Sequence, residues 1–276
     1  MSEGFDLHTH TIHSDGTLTP SELVEHAHDQ GVKVMALTDH DSMAGVSEAQ
    51  KKADALGLRL ITGVEISVSW GNRTIHIVGL GVDAGHETLQ QGLKILRGYR
   101  NDRAVKIAER LQRYGIEDCQ QAVKEKTQGD LIGRMHYARY LVEQGHAKDI
   151  RQAFKRYLGD GKRAFILVQW ASLADAVSWI NAAGGQAVIA HPARYRLSAT
   201  RMRLLLSEFK ECGGAAIEVV SGSHTETECL HFAGLANAYG LQASAGSDYH
   251  GPDNPWIELG RMRSLPKNCL PVWQDW

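Results

Sequence analysis

The sequence predicts an α/β fold in which parallel strands alternate with crossover helices, arranged as an open sheet or as a barrel. Two observations lead to this prediction. Short apolar runs alternate with helix-like stretches, and several of these stretches are followed by a glycine, where helices commonly end: Gly57, Gly184, Gly213 and Gly240. With 276 residues, 43% of them hydrophobic, the chain can bury a sizeable core in one large domain or two ordinary ones.

The apolar runs give seven predicted strands, and the stretches between them give helices. The strands are predicted at residues 5–8, 32–38, 58–68, 74–81, 187–190, 215–220 and 241–245. The first helix begins at TPSE, where Thr19 can cap, Pro20 suits the first helical position and Glu22 completes a capping box. Further helices are predicted at residues 43–56, 173–183, 200–212 and 227–239.

The middle of the chain breaks this alternation. Residues 89–157 have helical periodicity and no convincing strand. One helix face is indicated by the spacing of Ala104, Ile107, Ala108 and Leu111. We therefore predict three segments, with a helical insertion between two parts of one α/β domain: residues 1–88, 89–165 and 166–276.

Composition and charge exclude several classes of function. The formal net charge of −2 gives no global attraction to nucleic acid or membranes. The four cysteines form no CxxC pair, which is typical of reduced thiols and not of a disulfide framework or a thiolate zinc site. The sequence opens without a signal-peptide pattern and contains no apolar run long enough to span a bilayer. We therefore expect a soluble cytoplasmic protein with no membrane association.

Metal-binding side chains recur where the predicted strands end. In parallel α/β folds these ends form the functional rim, so the side chains are expected to meet there. Residues two apart in a strand face the same way, so His8 and His10 can bind one ion together. Imidazole and carboxylate together suit zinc, manganese or iron. The residues are His8, His10, Asp15, Asp39, His40, Glu65, His76, His191, Glu218, Asp248 and His250.

Each of these residues alone also has a structural interpretation. Asp39 could cap a helix that begins near Ser42, and Asp15 with Gly16 could form only a turn. Several other histidines are interpreted as surface or core residues: His26, His28, His86, His146 and His231. The joint pattern favours a metal cluster, because many independent positions would otherwise fall on one rim by chance.

The motifs around these residues resemble those of the polymerase-and-histidinol-phosphatase (PHP) family of metal-dependent phosphoesterases. They read DLHTHTIHSDG, TDHD, GVE, HIVGL, AHP and GSDYH, and they come from both halves of the α/β region. Further stretches are similar to the group of this family that contains RNase AM and nucleoside 3′,5′-bisphosphate phosphatases: IGRMHYARYLVEQG, YLGDGK, AHPARY and PWIELGR. With them the resemblance extends over nearly the whole chain.

The resemblance implies a distorted (β/α)7 barrel of the PHP type with a helical insertion domain. It also implies three divalent metal ions at the carboxyl-terminal rim, with manganese expected and zinc or iron as alternatives. Asp39 would orient a ligand, and Glu218 would support the rim. The implied ligands are His8, His10, Glu65 and Asp248 for the first ion, Glu65, His76 and His191 for the second, and Asp15, His40 and His250 for the third.

The same resemblance implies a hydrolase that removes the 5′-phosphate of nucleoside 3′,5′-bisphosphates and trims short 5′-phosphorylated RNA in the 5′-to-3′ direction. A hydroxide that bridges two ions would attack phosphorus, so no catalytic side chain is nominated. The insertion would select the substrate. Arg194 is placed to bind a phosphate, although it is equally consistent with a surface arginine. Arg134 and His136 could bind a second phosphate.

A basic stretch inside the predicted insertion has two interpretations. On a helix, four of its side chains stay on one side: Arg103, Lys106, Arg110 and Arg113. They form either a solvated face or a surface that attracts RNA.

The sequence leaves two other functions open. One is a phosphatase of a small metabolite such as histidinol phosphate, and the other is a catalytically silent metal-binding module of a larger assembly. The complete set of ligand residues argues against the second, and no obligate protein partner is expected.

Overall fold

Seven strands in chain order form one sheet in the computed structural model, which describes residues 4–127, 129 and 131–276. Each strand falls at a predicted position. The strands are β1 (Phe5–Asp6), β2 (Val34–Leu37), β3 (Arg59–Trp70), β4 (Arg73–Leu80), β5 (Gln186–Ile189), β6 (Ala216–Ser221) and β7 (Gln242–Gly246).

The first and last strands approach each other and nearly close the sheet into a barrel. The Leu7 backbone N–H donates to the Ala245 carbonyl at 3.0 Å, and the Asp248 N–H donates to the His8 carbonyl at 2.8 Å. These bonds continue the pairing beyond β1 and β7. The predicted distorted seven-stranded barrel is confirmed.

Strand β4 departs from the all-parallel prediction. It pairs antiparallel with β3 and with β5, whereas the other pairs are parallel. The reason lies in the connection, because Trp70 pairs with Arg73 and only Gly71 and Asn72 lie between them. Two residues suffice for a hairpin, whereas a parallel crossover needs a dozen or more.

Helices lie between consecutive strands except at the hairpin of β3 and β4, and several helices follow one another between β4 and β5. The predicted capping box of the first helix is present, since the Thr19 hydroxyl accepts from the Glu22 N–H and the Glu22 carboxylate accepts from the Thr19 N–H. The helices are α1 (Pro20–Asp29), α2 (Val46–Leu56), α3 (Glu87–Gln112), α4 (Cys119–Lys126), α5 (Arg134–Glu143), α6 (Ile150–Ala153), α7 (Leu173–Ala182), α8 (Ala199–Glu211) and α9 (Glu226–Tyr239).

The middle helices share a hydrophobic core of their own. Helix α3 contributes Leu93 and Leu96 to the main core, while Ile107 and Leu111 further along the same helix pack in the second core. The Tyr137 hydroxyl of α5 donates to the Ala104 carbonyl of α3 at 2.8 Å. Helix α3 is therefore continuous across the predicted boundary at residue 89 and fixes the inserted helices to the barrel.

The interior of the barrel is apolar at one end and polar at the other. Ile61, Val78 and Ala216 belong to an apolar cluster inside the barrel. Glu65 lies four residues after Ile61 in β3, so both side chains face the same side of the strand. The polar end of the barrel is where the metal-type side chains collect. Among the described residues, no helix has the length and apolarity needed to cross a membrane.

Candidate metal centre

Nine histidine, aspartate and glutamate side chains lie together at the polar end of the barrel. Segments that follow β1, β2, β5 and β7 supply most of them, and β3 supplies Glu65. Because β4 runs antiparallel to β3, His76 reaches this end from near the start of its strand. The nine residues are His8, His10, Asp15, His40, Glu65, His76, His191, Asp248 and His250.

Four of these side chains surround one point. The Nε2 atoms of His8 and His10 each lie 3.4 Å from Glu65 Oε2. Asp248 Oδ1 lies 3.4 Å from His8 Nε2 and 3.1 Å from His10 Nε2. A tetrahedral ion with bonds of about 2.1 Å keeps its ligand atoms about 3.4 Å apart. The spacing therefore fits a divalent cation.

Glu65 also faces other histidines through both of its carboxylate oxygens. Its Oε1 atom lies 2.9 Å from His76 Nδ1 and 3.0 Å from His191 Nε2. Its Oε2 atom lies 2.7 Å from His40 Nδ1. A carboxylate that contacts separate groups of imidazoles through its two oxygens can bridge two ions.

Asp15 and His250 form the outer side of the cluster. Asp15 Oδ1 lies 3.2 Å from His250 Nε2 and 3.9 Å from His40 Nε2. The His10 ring stacks on His250 with centroids 4.1 Å apart. All nine residues nominated as ligands are thus brought together in overlapping groups.

The unpaired polar atoms of the cluster test whether it fits metal ions. Glu65 Oε2 lies close to three imidazole nitrogens, yet it forms no hydrogen bond of good geometry with any described residue. The lone pairs of this oxygen and of the imidazole nitrogens converge on the space between the side chains. A cation in that space satisfies these lone pairs, whereas a hydrogen bond does not. The same condition applies to buried atoms of His8, Asp15, His40 and His76.

The protonation states of the cluster also suit metal binding. Burial lowers the pKa of three imidazoles to about 4: His10, His40 and His191. Burial opposes ionisation of Glu65, but imidazoles such as His40 hold the pKa of its carboxyl well below the usual range. Burial also lowers the pKa of His250, yet Asp15 and Asp248 together raise it to about 9. A cation that binds His250 therefore displaces a proton, because metal ligands must be deprotonated.

Glu218 contacts two of the histidines, His8 and His191, and orients them. Its Oε1 atom lies 2.7 Å from His8 Nδ1, which leaves His8 Nε2 facing the cluster. Its other oxygen accepts a hydrogen bond from the His191 backbone N–H. Carboxylates in this position fix the ring orientation and raise the basicity of a metal-binding histidine.

Asp39 is linked to the cluster through the loop that follows β1. Its carboxylate accepts from the Thr11 N–H at 2.7 Å and from the Ser14 hydroxyl at 2.6 Å. Ser14 Oγ in turn lies 3.3 Å from His10 Nδ1. Asp39 thus holds the loop that follows β1 and acts on His10 through Ser14.

Two residues of the cluster have strained backbones. His191 has φ = 27° and Asp248 has φ = 58°, both in the left-handed region. Such conformations cost on the order of 1–3 kcal/mol each and collect at functional sites. The Asp248 N–H donates to the His8 carbonyl at 2.8 Å, so the strained residue is tied to β1.

Comparison with known proteins places this arrangement in a family. The family model described as PHP domain matches residues 6–167, more than half of the chain. The chain belongs to the PHP domain family. Over 271 residues it is 44% identical to the 3′,5′-nucleoside bisphosphate phosphatase of Chromobacterium violaceum, covering 98% of this chain and 95% of that protein.

Another relative of this PHP domain protein is the 5′-3′ exoribonuclease Rnm of Escherichia coli. It is 43% identical over 274 residues, covering 99% of this chain and 93% of that protein. A solved structure of an amidohydrolase from Chromobacterium violaceum, with bound sulfate and no metal, matches with a TM-score of 0.95 and 43% identity. The match covers 99% of this chain and 95% of that one.

Gly246 allows β7 of the PHP domain to approach His8. A Cβ atom at Gly246 would lie 2.3 Å from His8 Cβ and 3.0 Å from Glu218 Oε1. Gly246→Ala is therefore expected to displace His8 from Glu218 and to weaken metal affinity about 10–100-fold, as other losses of ligand orientation do. Competition with a chelating dye measures the change.

Gly98→Ala is the matched control for this substitution. Gly98 lies within α3, and an added Cβ meets no described atom within 4 Å. Unchanged metal affinity and a stability gain of about 0.5–1 kcal/mol are expected there. Equal metal affinities in the two variants would show that the contact of Gly246 with His8 is unimportant.

Arg194 lies beside the cluster of the PHP domain. Its guanidinium forms an ion pair with Asp248 Oδ2 and donates through Nε to the Ser223 hydroxyl at 3.2 Å. Arg194 lines the same cavity as His191 and His250, which has a volume of 630 Å³. The side chain is thus held in place with part of its surface facing the cavity.

Arg134 and His136 face different cavities, although they are two residues apart. Arg134 lines a small cavity that it shares with Asp15, His40 and His76. His136 lines another cavity, whose lining includes none of these three residues, and its Nδ1 accepts from the Gly133 N–H at 3.0 Å. His136 therefore caps the start of α5 in the PHP domain protein.

The expected basic face is not a single surface. Arg103 is buried, whereas Lys106, Arg110 and Arg113 are exposed, so the four side chains on this side of α3 do not form one exposed surface. Arg100 is buried as well. A signal in the sequence could have revealed this, because Arg100 and Arg103 each lie four residues before an apolar position of the buried stripe of α3.

Proposed function

We propose that this chain is a metal-dependent phosphoesterase that hydrolyses the 5′-phosphate of nucleoside 3′,5′-bisphosphates and trims short 5′-phosphorylated RNA in the 5′-to-3′ direction. The observation that carries the proposal is a cluster of nine histidine and carboxylate side chains that opens onto a large cavity. The names of the two full-length relatives, a bisphosphate phosphatase and an exoribonuclease, support this choice of substrate.

The proposal includes three divalent ions, with manganese as the expected metal and zinc or iron as alternatives. Such ions lower the pKa of a water and neutralise charge on the phosphoryl oxygens. The proposed ligands are His8, His10, Glu65 and Asp248 for the first ion, Glu65, His76 and His191 for the second, and Asp15, His40 and His250 for the third.

Arg194 is proposed to bind the phosphate that reacts. Its ion pair with Asp248 and its bond to Ser223 fix the guanidinium beside the cluster before substrate arrives. A guanidinium offers paired donors that match two phosphate oxygens. Positioning of this kind reduces the freedom that the substrate loses in the transition state.

The residues that line the large cavity support a nucleotide substrate. Its walls come from the barrel rim, from the inserted helices through Met135 and Ile150, and from a loop with Trp256. The Trp256 side chain is 91% exposed. An aromatic face at the mouth of a phosphate site provides a surface on which any base can stack.

The division of the chain is part of the proposal. Residues 1–88 and 166–276 would form the catalytic barrel, and residues 89–165 would bind the substrate. The four cysteines are free thiols, which supports a cytoplasmic location. No obligate protein partner is included in the proposal.

One assay tests the proposed function. Purified protein with manganese is offered 3′-phosphoadenosine 5′-phosphate, a 5′-phosphorylated oligoribonucleotide and histidinol phosphate. We expect kcat/KM for the first to exceed that for histidinol phosphate by at least about 100-fold, because buried polar groups discriminate strongly against substrates that leave them unpaired. We also expect mononucleotides to be released from the RNA.

The other outcomes separate the alternatives. Hydrolysis of histidinol phosphate alone would indicate a small-metabolite phosphatase. Failure with all three substrates while metal is bound would indicate a silent module. Either result contradicts the proposed function.

A further inference from the structure

Three arginines meet in a small cavity next to the metal-type cluster. The cavity has a volume of 80 Å³, against 630 Å³ for its larger neighbour. The two cavities share one wall, because Asp15, His40 and His76 line both of them. On its other side the small cavity is lined by Arg100, Arg103 and Arg134.

Arg103 is buried without an anionic partner among the described residues. Only 7% of its surface is exposed, and its Nε atom has no hydrogen-bond partner in the described part of the chain. Its guanidinium lies 4.9 Å from the centre of the Trp170 ring. Burial lowers the pKa of Arg103 well below its usual value, and the nearby charges of Arg100 and Arg134 outweigh those of Asp41 and Asp15 and lower it further.

The neighbouring arginines are neutralised to different extents. Arg100 forms a buried ion pair with Asp41 at 2.6 Å and donates to the Ser67 hydroxyl at 2.8 Å. Arg134 lies 3.8 Å from Asp160, whose side chain is 80% exposed. An exposed ion pair of that length neutralises little charge. The cavity therefore holds two guanidiniums, those of Arg103 and Arg134, against the single carboxylate of Asp15, and neither guanidinium forms a buried ion pair with a described residue.

A bound anion accounts for this arrangement. A buried charge without a partner is strongly unfavourable, and two like charges side by side increase the cost. Guanidiniums are also the groups that bind phosphate most specifically. The small volume suits a phosphate group, while the larger cavity next to it has room for a nucleoside.

We propose that Arg103 and Arg134 bind the phosphate of the substrate that is not hydrolysed. In a nucleoside bisphosphate this is the 3′-phosphate, and in RNA it is the first internucleotide phosphate. The inference rests on the proposed function and adds the residues through which the second phosphate raises kcat/KM. His136, which faces another cavity, has no part in this site.

Substrates with and without the second phosphate test the proposal. Adenosine 3′,5′-bisphosphate, adenosine 5′-monophosphate and a 5′-phosphorylated diadenylate are compared in the wild type and in Arg103→Met. We expect the substitution to lower kcat/KM for the bisphosphate and for the diadenylate by about 30–100-fold, the range for loss of a hydrogen bond to a charged group. Activity on the monophosphate is expected to change less than about 3-fold, since that substrate never reaches Arg103.

Control variants separate binding from folding. Lys106→Met removes an exposed charge from the same helix and is expected to leave all three rates unchanged. Arg134→Met, at a less buried position of the same cavity, is expected to reproduce the selective loss. An equal loss on all three substrates in both arginine variants would overturn the proposal, because it would show a role in the metal site or in folding. A loss for the bisphosphate alone would overturn the assignment of the internucleotide phosphate.

Binding of adenosine 3′-monophosphate tests the site without turnover. Titration calorimetry is expected to show binding to the wild type and a loss of about 30-fold or more in affinity in Arg103→Met. Equal affinities would overturn the proposal even if the wild type hydrolyses nucleotides. If the wild type hydrolyses none of the substrates but binds this ligand through Arg103, the proposed function fails while the phosphate site stands.

Discussion

Replacing Glu65 with glutamine is expected to lower kcat/KM by about 10³-fold or more and to remove most of the bound metal. Glu65 is the carboxylate that contacts His8 and His10 through one oxygen and His76 and His191 through the other. The amide has no charge and presents N–H donors to lone pairs that already converge there. Loss of one preorganised charge-stabilising group alone costs about 10²–10³-fold in other enzymes, and this residue serves two groups of ligands at once.

Kinetics and elemental analysis of the purified variant measure this effect. Glu25→Gln is the matched control, since Glu25 lies on α1 with an exposed carboxylate that forms an ion pair with Lys52 at 3.2 Å. Wild-type activity and metal content are expected for the control. A Glu65→Gln protein that keeps both metal and activity would contradict the bridging role of Glu65.

Removal of metal by chelation is expected to abolish activity and to lower Tm by about 5–10 °C. Without cations the buried lone pairs of His8, Asp15 and Glu65 are not satisfied, and a ligand held at 100 times its Kd contributes about 2.7 kcal/mol to the folded state. For a chain of this size, each kcal/mol corresponds to about 2–4 °C. Scanning calorimetry with and without chelator measures the shift.

Refilling the chelated protein then counts the ions. Manganese added stepwise is expected to restore Tm and activity up to about three equivalents per chain. Saturation at two equivalents would contradict a separate ion held by Asp15, His40 and His250. A Tm that does not respond to chelation would contradict metal binding by the whole cluster.

The strands and the metal-type residues could be predicted because their signals are local. Alternating apolar runs mark the strands, and motifs such as TDHD place His40 directly after one of them. The direction of β4 was also visible in principle, since the five residues between the predicted strands 58–68 and 74–81 are too few for a parallel crossover. The alternation of helices and strands in the rest of the chain favoured the prediction of parallel strands instead.

The supporting contacts could not be predicted because they join distant parts of the chain. Glu218 and His8 are 210 residues apart, and nothing in either local sequence indicates that they meet. The burial of Arg103 was hidden for another reason. A basic residue on a helix is usually exposed, and only its place on the apolar stripe of α3 shows that it points inward.

The contact between β1 and β7, which nearly closes the barrel, determines when during synthesis the site can form. His10 and Asp248, whose side chains meet at 3.1 Å, are 238 residues apart in the sequence. On the ribosome, the amino-terminal histidines emerge long before Asp248 and His250 are made. The nascent chain therefore lacks two of the nine proposed ligands until Asp248 and His250 have been added. A site that hydrolyses phosphate esters would stay inactive beside the message that encodes it and become competent only when β7 docks beside β1.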